Sequence, residues 1–370
     1  MTIENLSPLA SLGWESSWAT AFAVGVDTLG IREAGSVVPA RVIAEHRERY
    51  VVAGEDGEHS AVLAGRARHT ADARGQLPAV GDWVGVSHGF GDGTRVVRFV
   101  VARRGAFIRK TAGEATSAQV VAANVDVALI AAALSGELSS RRLERYLALA
   151  WESGAMPIVV LTKSDLGHDI ASALAAASLA APAVPVLAVS AVTGEGIDAL
   201  AAHLLPGRTA VLLGSSGVGK STLVNRLLGS AHQRTAEVGD DGRGRHTTTH
   251  RELVRLASGA LLIDTPGMRE LQLWTAHAGL DAAFADIEGL AEACRFRDCE
   301  HEAEPDCAVL DAVARGALPV DRLESWHRLR RELAYLARKQ DERATAEARG
   351  RIKSLTRGLR SHLRDKYGGA

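Results

Sequence analysis

A short glycine-rich segment constrains this chain more than any other feature. Residues 214–221, GSSGVGKS, match the pattern G-x-x-x-x-G-K-[ST], with an apolar run at 209–213 before them and a helix-like stretch after them. In such a loop the glycines let backbone N–H groups surround phosphate oxygens, and the following helix N-terminus favours negative charge. A chance glycine-rich turn is the alternative. It would not explain why a predicted strand precedes the segment and a predicted helix follows it. The segment therefore predicts a phosphate-binding loop.

The residue types in this loop suggest separate tasks. Lys220 is expected to be catalytic, because its charge would neutralise the β- and γ-phosphates, and the Ser221 hydroxyl is expected to ligate Mg²⁺. We expect nucleotide contacts from the whole loop and the residue after it, namely Gly214, Ser215, Ser216, Gly217, Val218, Gly219, Lys220, Ser221 and Thr222.

A second motif is expected to recognise the base of the nucleotide. Thr162, Lys163 and Asp165 belong to the tetrapeptide TKSD, which follows the apolar run 157–161. An aspartate there can accept two hydrogen bonds from guanine, which adenine cannot supply, and the lysine stem can cover the base. The tetrapeptide alone is equally compatible with a solvated loop at a strand end. Support comes from the next apolar run, 184–189, which ends in Ser190 and Ala191, where GTPases contact the guanine carbonyl.

A third motif follows the apolar run 261–263. The tetrapeptide DTPG places Asp264 where it could reach Mg²⁺ through water and Gly267 where its N–H could meet the γ-phosphate. Taken alone it could be a strand-ending turn, since aspartate and glycine favour turns. Four motifs at the ends of four predicted strands make coincidence a poor explanation.

The order of these motifs is unusual. Ordinary small GTPases have the phosphate loop first and the base motif late, whereas here TKSD and Ser190-Ala191 precede the phosphate loop and DTPG comes last. A circular permutation of this kind is feasible when the termini of a domain lie close together. It would connect the nucleotide-sensing segment after DTPG directly to the C-terminal region, so that the γ-phosphate state could move that region.

The 370 residues are enough for several domains. Residues 1–36 have no clear period and are expected to form an N-terminal extension. Short β-branched runs in 37–106 predict an OB-fold β-barrel. Apolar runs alternating with helical patterns in 107–285 predict a circularly permuted α/β P-loop GTPase domain with a doubly wound parallel sheet. Residues 286–370 are expected to form an α-helical zinc-binding domain with a basic tail.

Composition and the N-terminal residues argue against membrane insertion or secretion. The composition is that of an ordinary soluble protein, and the formal net charge of −1 says nothing about a polyanionic partner. The first residues lack the basic start and apolar run of a secretory signal. The uncharged stretch 170–194 is long enough for a membrane span but contains Pro182 and Pro185. We interpret it as a helix, a turn and a strand, expect no span, and expect a cytoplasmic protein.

The three cysteines of the chain lie close together and beside a histidine. Cys294, Cys299, His301 and Cys307 offer four soft or borderline ligands within a short polar stretch. Three thiolates and one imidazole would complete a tetrahedral Zn²⁺ shell with no open position, so the predicted ion is structural. Buried cysteines beside a surface histidine are the alternative.

Together these residues resemble the ribosome-small-subunit-dependent GTPase A family, also called RsgA, over most of the chain. The most specific matches are GRGRHTTT at 242–249, DTPG followed by Arg269-Glu270, and CRFRDCEH at 294–301. Weaker matches are Asn-Val-Asp at 124–126 and VGDWV at 80–84.

The resemblance implies a bacterial factor that binds the small ribosomal subunit late in maturation. In that family the subunit stimulates a slow GTPase, and hydrolysis favours release. The resemblance further implies that the barrel and zinc domains contact ribosomal RNA and that the 242–249 loop is the first switch, which makes Thr248 a candidate Mg²⁺ ligand. The expected partners are the small subunit with its rRNA and GTP or GDP, and the protein is expected to be monomeric.

Met268 stands where many GTPases have a water-orienting glutamine after D-x-x-G, and its side chain cannot polarise water. Another group must then orient the nucleophile, or the isolated enzyme must be slow. His246 is the candidate, in agreement with the resemblance. An ordinary loop histidine among arginines and threonines is the alternative.

Two other functions compete with a subunit-stimulated GTPase. An RNA-binding module could use GTP only to hold a shape, and a small-molecule kinase could use the phosphate loop. The TKSD motif argues against the kinase, and the intact Lys220, Ser221 and Asp264 favour hydrolysis. Residues 321–370 contain 14 Lys+Arg against 7 Asp+Glu. With Trp326 and Tyr335 this tail is compatible with RNA contact or with a solvated helix face.

Overall fold

A computed structural model of the chain describes residues 7–30, 36–46, 49–65, 77–89, 93–110, 118–134, 138–229, 251–264, 277–335 and 337–338. Over these ranges no helix combines the length and the apolar character that a membrane crossing requires.

The N-terminal half contains a closed five-stranded barrel. Its strands are β1 (Val38–His46), β2 (Arg49–Gly54), β3 (Gly57–Leu63), β4 (Trp83–His88) and β5 (Arg95–Val100). They pair in the order β1-β2-β3-β5-β4, and β1 pairs with β4 to close the barrel. Val42, Val52, Val84 and Val97 fill its interior. This closed pairing confirms the predicted barrel. Its β-branched side chains alternate between the inside and the surface.

Helices α1 (Pro8–Ser11) and α2 (Ser16–Thr28) cover one end of this barrel. The indoles of Trp14 and Trp18 pack on buried Trp83, at centroid distances of 4.7 Å and 6.4 Å. The ring of Phe22 lies 5.3 Å from that of Phe99. Much of the extension is therefore an integral part of the barrel, although the sequence analysis found no period in it.

The α/β unit contains a six-stranded sheet. Its strands are β8 (Val127–Ala133), β9 (Met156–Thr162), β10 (Val186–Val189), β11 (Thr209–Leu213), β12 (Arg251–Arg255) and β13 (Leu261–Asp264). They lie in the order β10-β9-β8-β11-β13-β12, and all are parallel except β12. The predicted parallel sheet is confirmed. The connecting helices are α3 (Ser140–Glu152), α4 (Ile170–Ala180), α5 (Ile197–Ala201) and α6 (Lys220–Leu228).

Strand β12 joins this sheet to the barrel. It pairs antiparallel with β1, where Glu45 faces Arg251, and the two side chains form an ion pair at 2.9 Å. One sheet of 11 strands therefore runs through both units. Strand β12 is not among the strands predicted from the sequence.

A hairpin of β6 (Ala106–Lys110) and β7 (Ala118–Ala123) leads from the barrel to the α/β unit. It ends at Asn124, which has a left-handed backbone with φ of 55°. The Asn124 amide accepts a hydrogen bond from the Arg104 N–H at 3.0 Å and donates one to the Gly81 carbonyl at 3.2 Å. Two residues later, Asp126 accepts hydrogen bonds from the Thr209 N–H and the Arg208 guanidinium.

The C-terminal helices are α7 (His277–Ala283), α8 (Ala285–Ala291), α9 (Ala308–Ala314) and α10, residues 320–335. Helices α7 and α10 contact α3. Trp326 of α10 is only 4% exposed, and its indole N–H points to Glu288, so the suggested contact of this ring with RNA is wrong. Tyr335, on the same helix, is 56% exposed.

We expect Asn124→Ala to lower the free energy of unfolding by about 2 kcal/mol, because it removes two largely buried hydrogen bonds and leaves alanine in a left-handed conformation. Urea unfolding monitored by tryptophan fluorescence measures the change. Asn124→Gly is the matched control, since glycine tolerates this φ and loses only the hydrogen bonds. Equal losses in both variants would contradict the role of the left-handed backbone.

Candidate functional site

The phosphate loop connects β11 to α6 at the carboxyl edge of the parallel sheet. Its glycines have positive φ values, 141° at Gly214, 80° at Gly217 and 92° at Gly219. Gly214 also has no room for a side chain, because a Cβ there would lie 2.5 Å from the carbonyl oxygen of Ala131. Buried Val218 anchors the loop in the core beneath it. Backbone geometry thus favours glycine at all three positions, and close packing requires it at Gly214.

Lys220 begins α6 and folds back over the loop. Its Nζ donates hydrogen bonds to the carbonyl oxygens of Gly214 at 2.7 Å and Ser215 at 2.5 Å. Ser221 and Thr222 follow in the first helical turn and are exposed. A cation, the N–H groups of a helix start and exposed hydroxyls therefore lie together at the loop, which is the arrangement that binds a phosphate chain.

The TKSD segment touches the phosphate loop directly. The Thr162 hydroxyl donates to the Val218 carbonyl at 2.5 Å, and the Lys163 Nζ donates to the Gly217 carbonyl at 2.8 Å. Lys163 has φ of 60° and precedes a 3₁₀ turn, Ser164–Leu166, in which Asp165 is exposed. The two segments are far apart in sequence, yet they form one edge of the sheet with a free carboxylate beside the loop.

The Ser190-Ala191 pair lies next to this segment, because β10 and β9 are parallel neighbours. Buried Ser190 is part of a tight turn, in which its hydroxyl accepts from the Thr193 N–H at 3.1 Å and its carbonyl from the Gly194 N–H at 2.9 Å. Ala191 is half-buried at the same edge. The serine hydroxyl therefore helps to shape the turn at this edge of the sheet.

Of the DTPG motif, only Asp264 lies within the described residues. Strand β13 lies beside β11 in parallel and ends at Asp264, so the backbone of this residue is next to the phosphate loop. Gly267, His246, Thr248 and Met268 lie outside the described residues.

The cysteine and histidine side chains converge as the spacing predicts. The ligand atoms of Cys294, Cys299, His301 and Cys307 lie within 4.8 Å of one another. The Cys294 Sγ is 3.7 Å from the His301 Nδ1 and 3.8 Å from the Cys307 Sγ, and the latter two atoms are 3.4 Å apart. A tetrahedral shell with Zn–S bonds of about 2.3 Å has edges of about 3.7 Å. The donor set and its spacing are compatible with one zinc ion.

Three side chains hold this loop in roles that could not be predicted from the sequence. The Glu304 carboxylate accepts hydrogen bonds from the backbone N–H groups of Glu300, Glu302 and Ala303, and these bonds lower its pKa to about 2. The other two are Trp326, whose ring packs 5.3 Å from the His301 imidazole, and His327, whose Nε2 contacts the His301 carbonyl.

Burial lowers the pKa of His301, which favours the neutral imidazole that metals bind. In the sequence, the only sign of the side chains that hold the metal loop was Glu304, three residues before Cys307.

Comparison with known proteins identifies relatives along nearly the whole chain. A family model described as RsgA GTPase matches residues 100–274, and one described as 50S ribosome-binding GTPase matches residues 209–341. A Streptomyces coelicolor protein named small ribosomal subunit biogenesis GTPase RsgA is 47% identical over 99% of this chain and 97% of its own length. A protein of the same name from Opitutus terrae is 44% identical over 96% of this chain and 98% of its own.

Two crystal structures have a similar fold. YjeQ from Thermotoga maritima has a TM-score of 0.62 and 25% identity, covering 80% of this chain and 99% of its own. YloQ, described as a circularly permuted GTPase, has a TM-score of 0.59 and 25% identity, covering 82% of this chain and 98% of its own. The permuted motif order is therefore shared with a solved structure.

Proposed function

The chain belongs to the RsgA GTPase family and is a P-loop GTPase that hydrolyses GTP, and we propose that it acts in the late maturation of the small ribosomal subunit. The observation that supports this most is the 47% identity, over 99% of the chain, to a protein named for small-subunit biogenesis. An RNA-binding module that uses GTP only as a conformational ligand is not favoured, because the family is one of GTPases.

The sheet edge suggests how GTP is held. Asp165 would accept the two guanine N–H hydrogen bonds, the Lys163 stem would cover the base, and the backbone after Ser190 would meet the guanine carbonyl. The backbone N–H groups of residues 214–222 and the Lys220 ammonium would surround the phosphates. Mg²⁺, which GTPases use with GTP, would be held by Ser221, Asp264 and Thr248, with the Gly267 N–H at the γ-phosphate.

For hydrolysis we assign the water-orienting role to His246. The sequence has Met268 where many GTPases have glutamine, so another side chain must supply this function. Lys220 would stabilise the charge that develops on the transferred phosphoryl group.

We propose that the Cys294, Cys299, His301 and Cys307 cluster holds one structural Zn²⁺. A four-ligand shell leaves no open position for a substrate, so the ion would stabilise the loop and the helices packed on it.

The barrel and the C-terminal helices are proposed to contact ribosomal RNA. The barrel exposes Arg49 and Arg98, whose charges could contact phosphates. Arg95 is unsuited to this, because it is buried in an ion pair with Asp56. We further propose a monomeric protein that works in the cytoplasm, where its ribosomal substrate is assembled.

Purified small ribosomal subunits are expected to raise the rate of GTP hydrolysis at least about tenfold, which corresponds to about 1.4 kcal/mol of barrier. Steady-state phosphate release at saturating GTP measures this. Lys220→Ala should abolish the activity, and ATP should not replace GTP. Large subunits are the critical control, since one matching family is described as 50S-binding.

In the same assay His246→Ala should lose most of the stimulated rate. Full stimulated turnover in this variant would remove the role assigned to His246. Stimulation by large subunits alone would overturn the assignment to the small subunit.

Asp165→Asn should weaken GTP binding at least about a hundredfold, because an amide cannot accept both guanine hydrogen bonds. Xanthosine triphosphate, which has a carbonyl in place of the amine, should bind the variant better than GTP does. Fluorescent-nucleotide titration measures both affinities. Asp169→Asn is the control, since Asp169 only caps α4 through the Ser172 N–H. Unchanged GTP affinity in Asp165→Asn would contradict the base-recognition role.

Cys307→Ser should reduce the bound zinc from about one ion per chain to almost none and lower the melting temperature of the C-terminal helices. Elemental analysis of the purified protein measures the metal. Glu302→Gln is the matched control, because Glu302 lies in the same loop and is exposed but is not in the ligand cluster. Full zinc content in Cys307→Ser would exclude the proposed site.

A further inference from the structure

Helix α3 contacts the phosphate loop near its own N-terminus. The Arg142 guanidinium, in the first turn of α3, donates a hydrogen bond to the Ser215 hydroxyl at 3.3 Å. Ser215 is one of the two loop residues whose carbonyls accept from the Lys220 Nζ. A displacement of Arg142 would therefore reach the loop at Ser215, two residues after the end of β11.

The next residues of α3 hold the C-terminal region through a buried charge network. Glu144 accepts hydrogen bonds from the Arg322 guanidinium at 3.1 Å and from the Ser325 hydroxyl. Arg322 also donates to Asp286 through two nitrogens, at 2.5 Å and 2.7 Å, and to the Ala283 carbonyl at 2.8 Å. The side chains of Arg322 and Glu144 are 4% and 3% exposed. Such a network holds only when every member is in place.

A second ion pair lies one residue further along α3. Arg145 donates to both carboxylate oxygens of Glu332 on α10, at 3.0 Å and 2.7 Å. Both side chains are about one-third exposed. Because Arg142 and Arg145 are three positions apart, they lie on neighbouring parts of one helix face. The face that meets the phosphate loop thus continues into the face that meets α10.

Helix α7 packs against the C-terminal part of α3, and the two helix backbones approach each other closely at Gly279. A Cβ on Gly279 would lie 2.3 Å from the Ala148 carbonyl oxygen, so only glycine fits there. The Gly279 N–H also donates to the Glu152 carboxylate at 3.3 Å. Helix α7 is the first described element after DTPG, so the chain returns from the nucleotide site onto α3.

We propose that α3 couples the C-terminal helices to the phosphate loop, with Arg142 as the positioning residue at the loop and Arg145–Glu332 as the partly exposed ion pair that joins α3 to α10. A ligand bound to the C-terminal helices shifts α10, α10 shifts α3, and Arg142 shifts Ser215. This inference deepens the proposed function, because it rests on the small subunit being that ligand.

The neighbouring arginine provides a matched control. Arg141 precedes Arg142 on α3, is more than half exposed, and approaches Glu324 of α10 only to 3.9 Å. An exposed pair at that distance contributes little to stability. Arg141→Gln removes the same charge from the same helical turn without touching the loop.

The experiment compares Arg141→Gln, Arg142→Gln, Arg145→Glu, Glu332→Arg and the charge-exchanged double variant Arg145→Glu/Glu332→Arg. Subunit titrations give the maximal GTPase rate and the half-saturating subunit concentration. We expect Arg142→Gln to lower the maximal rate at least about fivefold without changing the half-saturating concentration, and Arg141→Gln to behave as wild type. Each charge reversal should lower the maximal rate, and the exchanged pair should restore it.

A second readout needs no subunits. The rate of methylanthraniloyl-GDP release from the isolated protein should change in Arg145→Glu and return in the exchanged pair, since Arg145 itself does not touch the loop. Melting temperatures identify any variant that loses its fold.

If wild type is not stimulated by subunits, the proposed function fails, and the nucleotide-release measurement alone decides the coupling. If Arg142→Gln matches Arg141→Gln in the subunit titration, or release is unchanged in a folded Arg145→Glu, the coupling through α3 is overturned.

Discussion

Parallel pairing of β11 between β8 and β13 is the constraint on which the nucleotide site depends. The three strands run in one direction in adjacent register, so their carboxyl ends meet at one edge of the sheet. The phosphate loop leaves β11 there, and the TKSD segment leaves β9 two positions away. This convergence depends on which strands pair and not on their order along the chain. A permuted chain can therefore build the same site as an unpermuted one.

Features that depend on local sequence could be predicted. The phosphate loop, the TKSD turn and the four metal ligands each follow from residue types at fixed spacing, and the structure brings the described members of each set together. The barrel could be predicted because its alternating β-branched runs are a local pattern. The role of Asn124 could not, because its hydrogen-bond partners at Gly81 and Arg104 lie in other elements.

Other features could not be predicted because the residues that determine them are distant in sequence. Trp14, Trp18 and Phe22 recur every four residues, a sign that the sequence offered, and the last two lie on α2, which begins at Ser16. Strand β12, with the sequence RELVR, is short and charged, and it is a strand only because β1 and β13 pair with both its edges. Trp326 suggested a surface aromatic, because nothing near it in sequence shows that His301 and Glu288 enclose it.

The contacts of α3 change how a permuted GTPase can use its C-terminal region. Sequence order suggested that the segment after DTPG would move this region directly. Yet Gly279 leaves α7 no space to slide over Ala148, and Arg322 joins Glu144, Asp286 and the Ala283 carbonyl in one buried cluster. Separating these groups would leave charges buried without partners, which is strongly unfavourable. Rearrangement within the described contacts is therefore least costly when the C-terminal helices move together with α3. The permutation that links the switch to the C-terminal region in sequence is thus accompanied by a second link in space, through a helix of the GTPase domain itself.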